Sequence, residues 1–322
     1  MERRAVIAIG GNALILDGQL GSIDEQAENA RETARHVAGM VAAGWGVVLT
    51  HGNGPQVGFI LLRSELIGDR APVPHLTLDM CVADSQGGIG HILGQALLNE
   101  LAAQGMPDRV ACILTHTVVA ADDRAFDDPS KPIGPYYTKA QANRKRTRLG
   151  WTVIEDSGRG YRRVVASPIP TRIVESAQIR ALVEAGFIVI GVGGGGIPVV
   201  EDSPAIYRGI EAVVDKDRAS ALLAVSLGVP LLVLSTGVEQ VAVRFRQPDQ
   251  RWLKRITVAE AKRYLDDGEF PRGSMGPKVE AAISFLEHGG EEVLITTPAA
   301  LERAIAGETG TRIVRDPQLA RD

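Results

Sequence analysis

The chain has 322 residues, is 45% hydrophobic and 23% charged, and carries a formal net charge of −4. That length and composition fit one large globular domain or two smaller ones. The acidic balance argues against wholesale nucleic-acid binding, and no apolar run is long enough to span a membrane.

The chain opens with MERRAVIAIGGNAL, where basic residues precede an apolar run of five. A run that short cannot serve as the core of a signal peptide, so a cytoplasmic location is expected. Residues 5–10 read as a buried strand that ends on Gly10, Gly11 and Asn12. A helix over 24–43 follows, with Ala27, Ala30, Ala34, Val37 and Val41 on one face and Gly44 beyond its end. The strand 45–50 runs into Gly52, Asn53 and Gly54, and Pro55 stands at the expected first position of a helix over 55–67. A helix over 85–104 and a long strand over 110–119 come next. Cys81 and Cys112 have no C-x-x-C or histidine spacing and are expected to be buried thiols.

Residues 121–166 break this rhythm with ten Lys/Arg against six Asp/Glu, and read as an insertion outside the main sheet. Its basic run from Lys139 to Arg148 is expected to be a solvated face or a lid that attracts phosphate. The helix 174–185 and the strand 187–192 lead into GVGGGGIPVV at 191–200, then a hairpin. Helices over 217–227, 258–266, 277–288 and 298–306 alternate with strands at 230–235 and 291–296. Gly105, Gly186, Gly228 and Gly289 stand just past helix ends. Such alternation predicts an α/β fold with a mostly parallel sheet covered on both faces, and ligands at the strands' carboxyl ends.

The spacing Gly191, Gly193, Gly196 satisfies G-x-G-x-x-G, with Glu211 and Asp215 about 20 residues on. A dinucleotide site needs a helix opening directly at the glycines. Here Ile197-Pro198-Val199-Val200 follows, which favours a strand, so that reading is set aside. The glycines still bring bare backbone to a strand's carboxyl end, as do Gly10–Asn12 and Gly52–Gly54. Gly273, Ser274 and Gly276 precede a further helix start, with Lys278 in its first turn. A lysine there gains nothing from the helix dipole and points to an anionic partner.

P-loop, protein-kinase, zincin and nucleophile-elbow motifs are missing. His51 reads as a structural hydrogen-bonder, and His116 stands on a strand end. Lys216 and Asp217 head a helix, where Asp217 reads equally well as an N-cap. Lys131 lies in the Pro/Gly-framed loop DPSKPIGPYY. Together Lys131, Lys216 and Lys278 could neutralise a transferring phosphoryl group, with Asp217 holding the lysines in register. Phosphoryl transfer needs little beyond such positioning and charge.

These residues resemble the carbamate kinases of the amino acid kinase superfamily. The resemblance covers nearly the whole chain, in the blocks GGNAL (10–14), THGNGPQVG (50–58), LDMCVADSQGGIG (78–90), DPSKPIGPYY (128–137), GRGYRRVVASPIP (158–170), GVGGGGIPVV (191–200), VVDKDRAS (213–220) and GSMGPKVEAA (273–282). It implies a three-layer αβα sandwich with a central eight-stranded, mostly parallel sheet, a small protruding lid over about 120–166, and a homodimer. It further implies reversible transfer between carbamoyl phosphate and ADP, with Mg²⁺ bound through the nucleotide phosphates.

Carried over, Gly10, Gly11, Asn12, Gly52, Asn53, Gly54, Gly194 and Gly195 would cradle the carbamoyl phosphate. Lys131, Lys216, Asp217 and Lys278 would be catalytic. ATP or ADP would be held by Lys216, Thr236, Val238, Val241, Ser274, Met275, Gly276 and Lys278. Residues 1–190 would form the carbamate half of a single domain and 191–322 the nucleotide half. Three places depart from the family pattern: His116 where a glutamine is usual, the slight run SQGGIGH at 85–91, and Asp123-Arg124-Ala125-Phe126 in place of D-P-A-F. Competing readings are another amino acid kinase activity on a small acceptor, and a non-catalytic sensor of the same ligands.

Overall fold

The computed structural model describes residues 3–16, 18–68, 72–156, 158, 160–271 and 273–315. Eight strands form the central sheet: β1 (Arg4–Ile9), β2 (Gly46–His51), β3 (Val110–Cys112), β4 (Ile188–Ile190), β5 (Leu231–Ser235), β6 (Arg255–Thr257), β7 (Glu292–Thr296) and β8 (Thr311–Val314). Their order across the sheet is β6-β8-β7-β5-β1-β2-β4-β3. Six strands run parallel; β8 is antiparallel to β7, and β6 follows β8.

The alternation of side chains along each strand builds two cores. Val6 and Ala8 of β1 face one way, towards α5 (Ser176–Glu184), α6 (Lys216–Leu227), α7 (Val258–Asp266) and α8 (Met275–Glu287). Ala5, Ile7 and Ile9 face the other way, towards α1 (Ile23–Ala42), α3 (Leu78–Ala103) and α9 (Leu301–Ile305). Both faces are apolar, so the strands read as continuous hydrophobic runs rather than alternating ones. The expected three-layer αβα sandwich is what the chain adopts.

The helices start where local chemistry allows. Ser22 and Glu25 form a capping box on α1, and Thr257 and Glu260 form another on α7. Asp215 caps α6, and Gly228 closes it in the left-handed conformation. A helix α2 (Gln56–Gly68) starts one residue later than expected, with Pro55 in the turn before it. The helix expected from residue 85 begins instead at Leu78 and continues through Gly87, Gly88, Gly90 and Gly94. Packing overrides glycine's poor helix propensity here: a Cβ on Gly90 would collide with Cys112 Sγ.

The strand expected over 110–119 is two strands in two sheets. β3 ends at Cys112, and His116–Val119 joins a second, four-stranded sheet with Pro170–Ile173, Ile197–Ser203 and Ile206–Gly209. Cys112, expected to be buried, is exposed because β3 is the edge strand; Cys81 is buried as expected, and both thiols are free.

The lid proper is the antiparallel sheet of Lys131–Tyr137, Tyr161–Val165 and Val153–Glu155, with α4 (Lys139–Leu149). It is narrower than the 120–166 expected, because Phe126 packs against the main core. α4 is a solvated helix with Ala142 as its buried residue. Lys145 is the exception to that solvation. It lies over the rings of Tyr137 and Trp151 and pairs with Glu65 of α2 at 2.9 Å. That pair fastens the lid to the body.

Candidate active site

A cleft of about 590 Å³ opens at the carboxyl ends of β1, β2, β5 and β7, where an open parallel sheet places its ligands. One wall is backbone. It consists of Gly10 and Gly11 after β1, Gly52, Asn53 and Gly54 after β2, and Gly194 of the glycine-rich loop. These glycines exist for close approach. A Cβ on Gly11 would collide with the Gly54 carbonyl. One on Gly52 would lie 2.8 Å from the Gly11 amide nitrogen and 3.3 Å from Lys216 Cδ. Gly194 has φ +66°, and a Cβ there would overlap the Asn53 amide. Asn12 lies within the single turn Gly11–Ala13, and its side chain falls outside the described residues.

The glycines at 193–195 make one tight turn, and a strand follows it instead of a helix, which removes the dinucleotide fingerprint. Gly195 does not line the cleft among the described residues. It packs against Val214, and its carbonyl accepts a hydrogen bond from the Thr117 hydroxyl at 2.8 Å.

The opposite wall is charge. Lys216, in the first turn of α6, is tied back to the sheet: its carbonyl accepts from the Ser220 hydroxyl, which meets Thr50 Oγ1 of β2 at 2.6 Å. Its ammonium pairs with Asp217 Oδ1, while Lys278 of α8 donates to Asp217 Oδ2 at 2.9 Å. Asp217 is therefore no N-cap. Asp215 has that task, accepting from the backbone N–H of Asp217 at 2.9 Å and of Arg218 at 3.3 Å. Lys131 reaches down from the lid, donating to the Val214 carbonyl at 3.1 Å and to Asp215 Oδ2 at 3.4 Å. Three ammonium groups thus meet two carboxylates in one cluster at the cleft.

The protonation states follow from that crowding. Burial pushes the Lys216 ammonium down to about 8, and the Asp217 carboxylate recovers only part of the loss. Lys278 moves the other way: burial acts to lower it, but Asp217 and its neighbours Asp215 and Lys216 together hold it above the usual lysine range. Asp217 is likewise subject to burial, which Lys216 and Lys278 overcome, leaving it below the usual carboxylate value. Asp215 is held well below that value by Lys131 and Lys216 against the effect of burial. His51 is buried beneath the β2 loop, pushed down to about 4 by burial, with Nδ1 at 2.9 Å from the Gly52 carbonyl. It is a neutral structural hydrogen-bonder, as its sequence context suggested.

The remaining expected site residues divide. Thr236 and Ser274 line the cleft beside Lys216 and Lys278. Val238, Met275 and Gly276 do not line it among the described residues. Val241 is 1% exposed and sits in the core, its backbone N–H donating to Thr311 Oγ1 at 2.8 Å. His116 also stands away from the cleft, with Nδ1 at 2.7 Å from Glu175, whose hydrogen bond pushes the imidazole above its ordinary value. Asp215 and the α1 residues Glu32 and Thr33 are cleft residues that the sequence reading did not assign to the site. The sequence pattern offered Asp217 as the cap, which hid Asp215, and nothing in the helical pattern of α1 marks Glu32.

The amino acid kinase family model matches residues 3–297. A carbamate kinase of Thermococcus kodakarensis is 47% identical over 98% of this chain and 100% of its own length. The chain belongs to the carbamate kinases. The carbamate kinase-like protein YahI of Escherichia coli K12 is 48% identical over the same shares of the two chains. Among solved structures, the carbamate kinase from Giardia lamblia bound to AMP-PNP matches with a TM-score of 0.90 at 39% identity, over 98% of this chain and 99% of that one. Membership of the carbamate kinases accounts for the shared overall fold.

Proposed function

We propose that the cleft transfers a phosphoryl group reversibly between carbamoyl phosphate and ADP, as a carbamate kinase. In the direction of ATP synthesis, the bond between the carbamoyl oxygen and phosphorus breaks. A terminal oxygen of ADP forms the new bond, giving ATP and carbamate, which decays to ammonia and carbon dioxide. The observation that carries this reading is the Lys216–Asp217–Lys278 group facing glycine-lined backbone across one cleft.

Lys216 and Lys278 stabilise the charge spread over the transferring group, and Asp217 holds their two ammonium groups apart and aimed. Lys131 covers the acceptor from the lid. The glycine wall admits a small planar carbamoyl group and offers it backbone amides. Thr236 and Ser274 sit on the nucleotide side, so residues 191–322 hold the nucleotide, while residues 1–190 together with Gly194 hold the acceptor. The protein binds ADP and ATP in this arrangement, functions as a homodimer, and is located in the cytoplasm.

Among the described residues no three His, Cys, Asp or Glu side chains gather into a metal site, and Asp215 and Asp217 are both engaged by lysines. Such a cleft fits a magnesium ion that arrives on the nucleotide and is held by its phosphate oxygens. When bound, Mg²⁺ neutralises phosphate charge and fixes the geometry of the nucleotide's terminal oxygens.

The test is ATP formation by purified protein from ADP, Mg²⁺ and carbamoyl phosphate, with acetyl phosphate as competitor substrate. Carbamoyl phosphate should be preferred in kcat/KM by about tenfold or more, the scale that small differences in a fitted pocket supply. Folded, ADP-binding protein that makes no ATP from carbamoyl phosphate would overturn the assignment.

A further inference from the structure

The glycine-rich loop is held by a set of buried polar contacts that none of the roles above uses. Gln86, on α3 and 1% exposed, spends both ends of its amide on one residue. Its Nε2 donates to the Thr115 carbonyl at 3.0 Å, and its Oε1 accepts from the Thr115 N–H at 2.8 Å. Thr115 lies in the break between β3 and the strand His116–Val119. In turn it grips both ends of the loop. The Val192 N–H donates to Thr115 Oγ1 at 3.0 Å at the entry, and the Ile197 N–H donates to the Thr115 carbonyl at 2.8 Å at the exit.

Between those points the backbone is strained. Val192 has φ +53°, a left-handed conformation that a β-branched residue adopts only when its surroundings impose it. The preceding residue of α3, Ser85, is 2% exposed and reaches the other loop: its hydroxyl accepts from Asn53 Nδ2 at 3.2 Å and donates to the Val82 carbonyl at 2.7 Å. Asn53 is the side chain that a Cβ on Gly194 would overlap. One turn of α3 therefore braces both the Asn53 loop and the Gly194 turn where the two pack against each other.

We propose that Gln86 and Ser85 are positioning residues of the acceptor cradle: Gln86 fixes the glycine turn through Thr115, Ser85 fixes Asn53, and together they hold this stretch of the backbone wall in the place where the carbamoyl group would meet it. This rests on the carbamate kinase reading and deepens it. It also gives Ser85 and Gln86 of the run SQGGIGH a purpose, since side chains without this hydroxyl and amide would leave Thr115 and Asn53 without these partners. Buried amide locks of this kind act through geometry, and a shift of about 1 Å in a reacting group can cost about 100-fold in rate.

The test compares wild type, Gln86→Leu, Gln86→Glu and Ser85→Ala. The readouts are kcat and KM for carbamoyl phosphate, the Kd of ADP, thermal melting, and amide exchange of a peptide spanning 191–197. Gln86→Leu should lower kcat/KM for carbamoyl phosphate by about 30- to 100-fold while ADP affinity stays within about twofold, and should speed exchange over 191–197. A protonated Gln86→Glu side chain still offers one donor and one acceptor to Thr115, so its activity relative to wild type should recover as pH falls. Ser85→Ala should raise the carbamoyl phosphate KM about three- to tenfold, the effect of one buried hydrogen bond.

If Gln86→Leu does not fold, the other two variants decide. Lower melting temperatures with unchanged carbamoyl phosphate kinetics and no pH-dependent recovery would overturn the proposal, as would parallel loss of ADP affinity. A wild type inactive on carbamoyl phosphate would refute the functional reading instead. The exchange measurement would still then report on the clamp: unchanged exchange over 191–197 in Gln86→Leu overturns it.

Discussion

The two walls of the cleft are made of opposite materials. The wall formed by the loops after β1 and β2 and by the glycine turn presents backbone and one amide side chain, Asn53, packed so closely that Gly11, Gly52 and Gly194 have no room for a Cβ. The facing wall presents three lysines and two aspartates, mutually paired around the buried Asp217. The first can discriminate by shape but carries no formal charge of its own. The second can stabilise a phosphoryl group but is indifferent to what the group is attached to. On the proposed reading, shape selection and charge stabilisation thus fall to different residues of the one cleft.

That division can be broken from either side. The largest effect should come from the charged wall. Lys278→Ala should lower kcat by about 100- to 1,000-fold, the range for losing one preorganised electrostatic contact, in protein that still folds and melts cooperatively. Gly194→Val should act on the other wall. It forces a β-branched residue into φ +66° and into Asn53, so carbamoyl phosphate KM should rise about 100-fold, with a stability loss of about 1–3 kcal/mol seen by denaturant melts. ADP affinity, measured by calorimetry, should hardly change in Gly194→Val.

A pH profile sharpens the comparison. Lys216 is pushed down to about 8, so it is charged below that pH and neutral above it. Loss of its positive charge removes phosphoryl stabilisation, so kcat/KM should fall about tenfold between pH 7 and pH 9. Removing Lys278 frees Asp217 for Lys216 alone and takes away a neighbouring cation, so the midpoint should move to higher pH in Lys278→Ala. The smallest kinetic effect belongs to Val241→Ala. It should cost about 1–3 kcal/mol of stability through the cavity it leaves, with nucleotide KM unchanged, because the side chain faces the core.

The two walls also differed in how far the sequence disclosed them. Glycine clusters at strand ends are expensive in conformational entropy, so Gly10–Gly11, Gly52–Gly54 and the turn at 193–196 announced close approach before any fold was known. The strand–helix rhythm disclosed the sandwich for a similar reason: runs such as AVIAI and LLVLS are apolar on both faces only where helices cover both. The charged wall was harder. In VVDKDRAS two aspartates compete for the capping position, and local pattern cannot say that Asp215 caps α6 while Asp217 turns to Lys278, which lies on another helix. Val241 was misplaced because residues next to a nucleotide loop and residues in a core share the same apolar character. The break of 110–119 into two strands was invisible because the contacts that hold Thr115 at the break come from Gln86, a polar side chain 29 positions away, and from the Ile197 backbone.

The central claim is that charge on one wall drives transfer once nucleotide is bound. The most direct measurement is ATP formation by Lys216→Ala at saturating ADP, Mg²⁺ and carbamoyl phosphate, with ADP binding and melting measured on the same preparation. The account predicts a folded protein that binds ADP yet makes ATP at least about 100-fold more slowly than wild type. Turnover within about threefold of wild type would contradict it, because a buried ammonium paired with Asp217 at the cleft would then have no part in the chemistry.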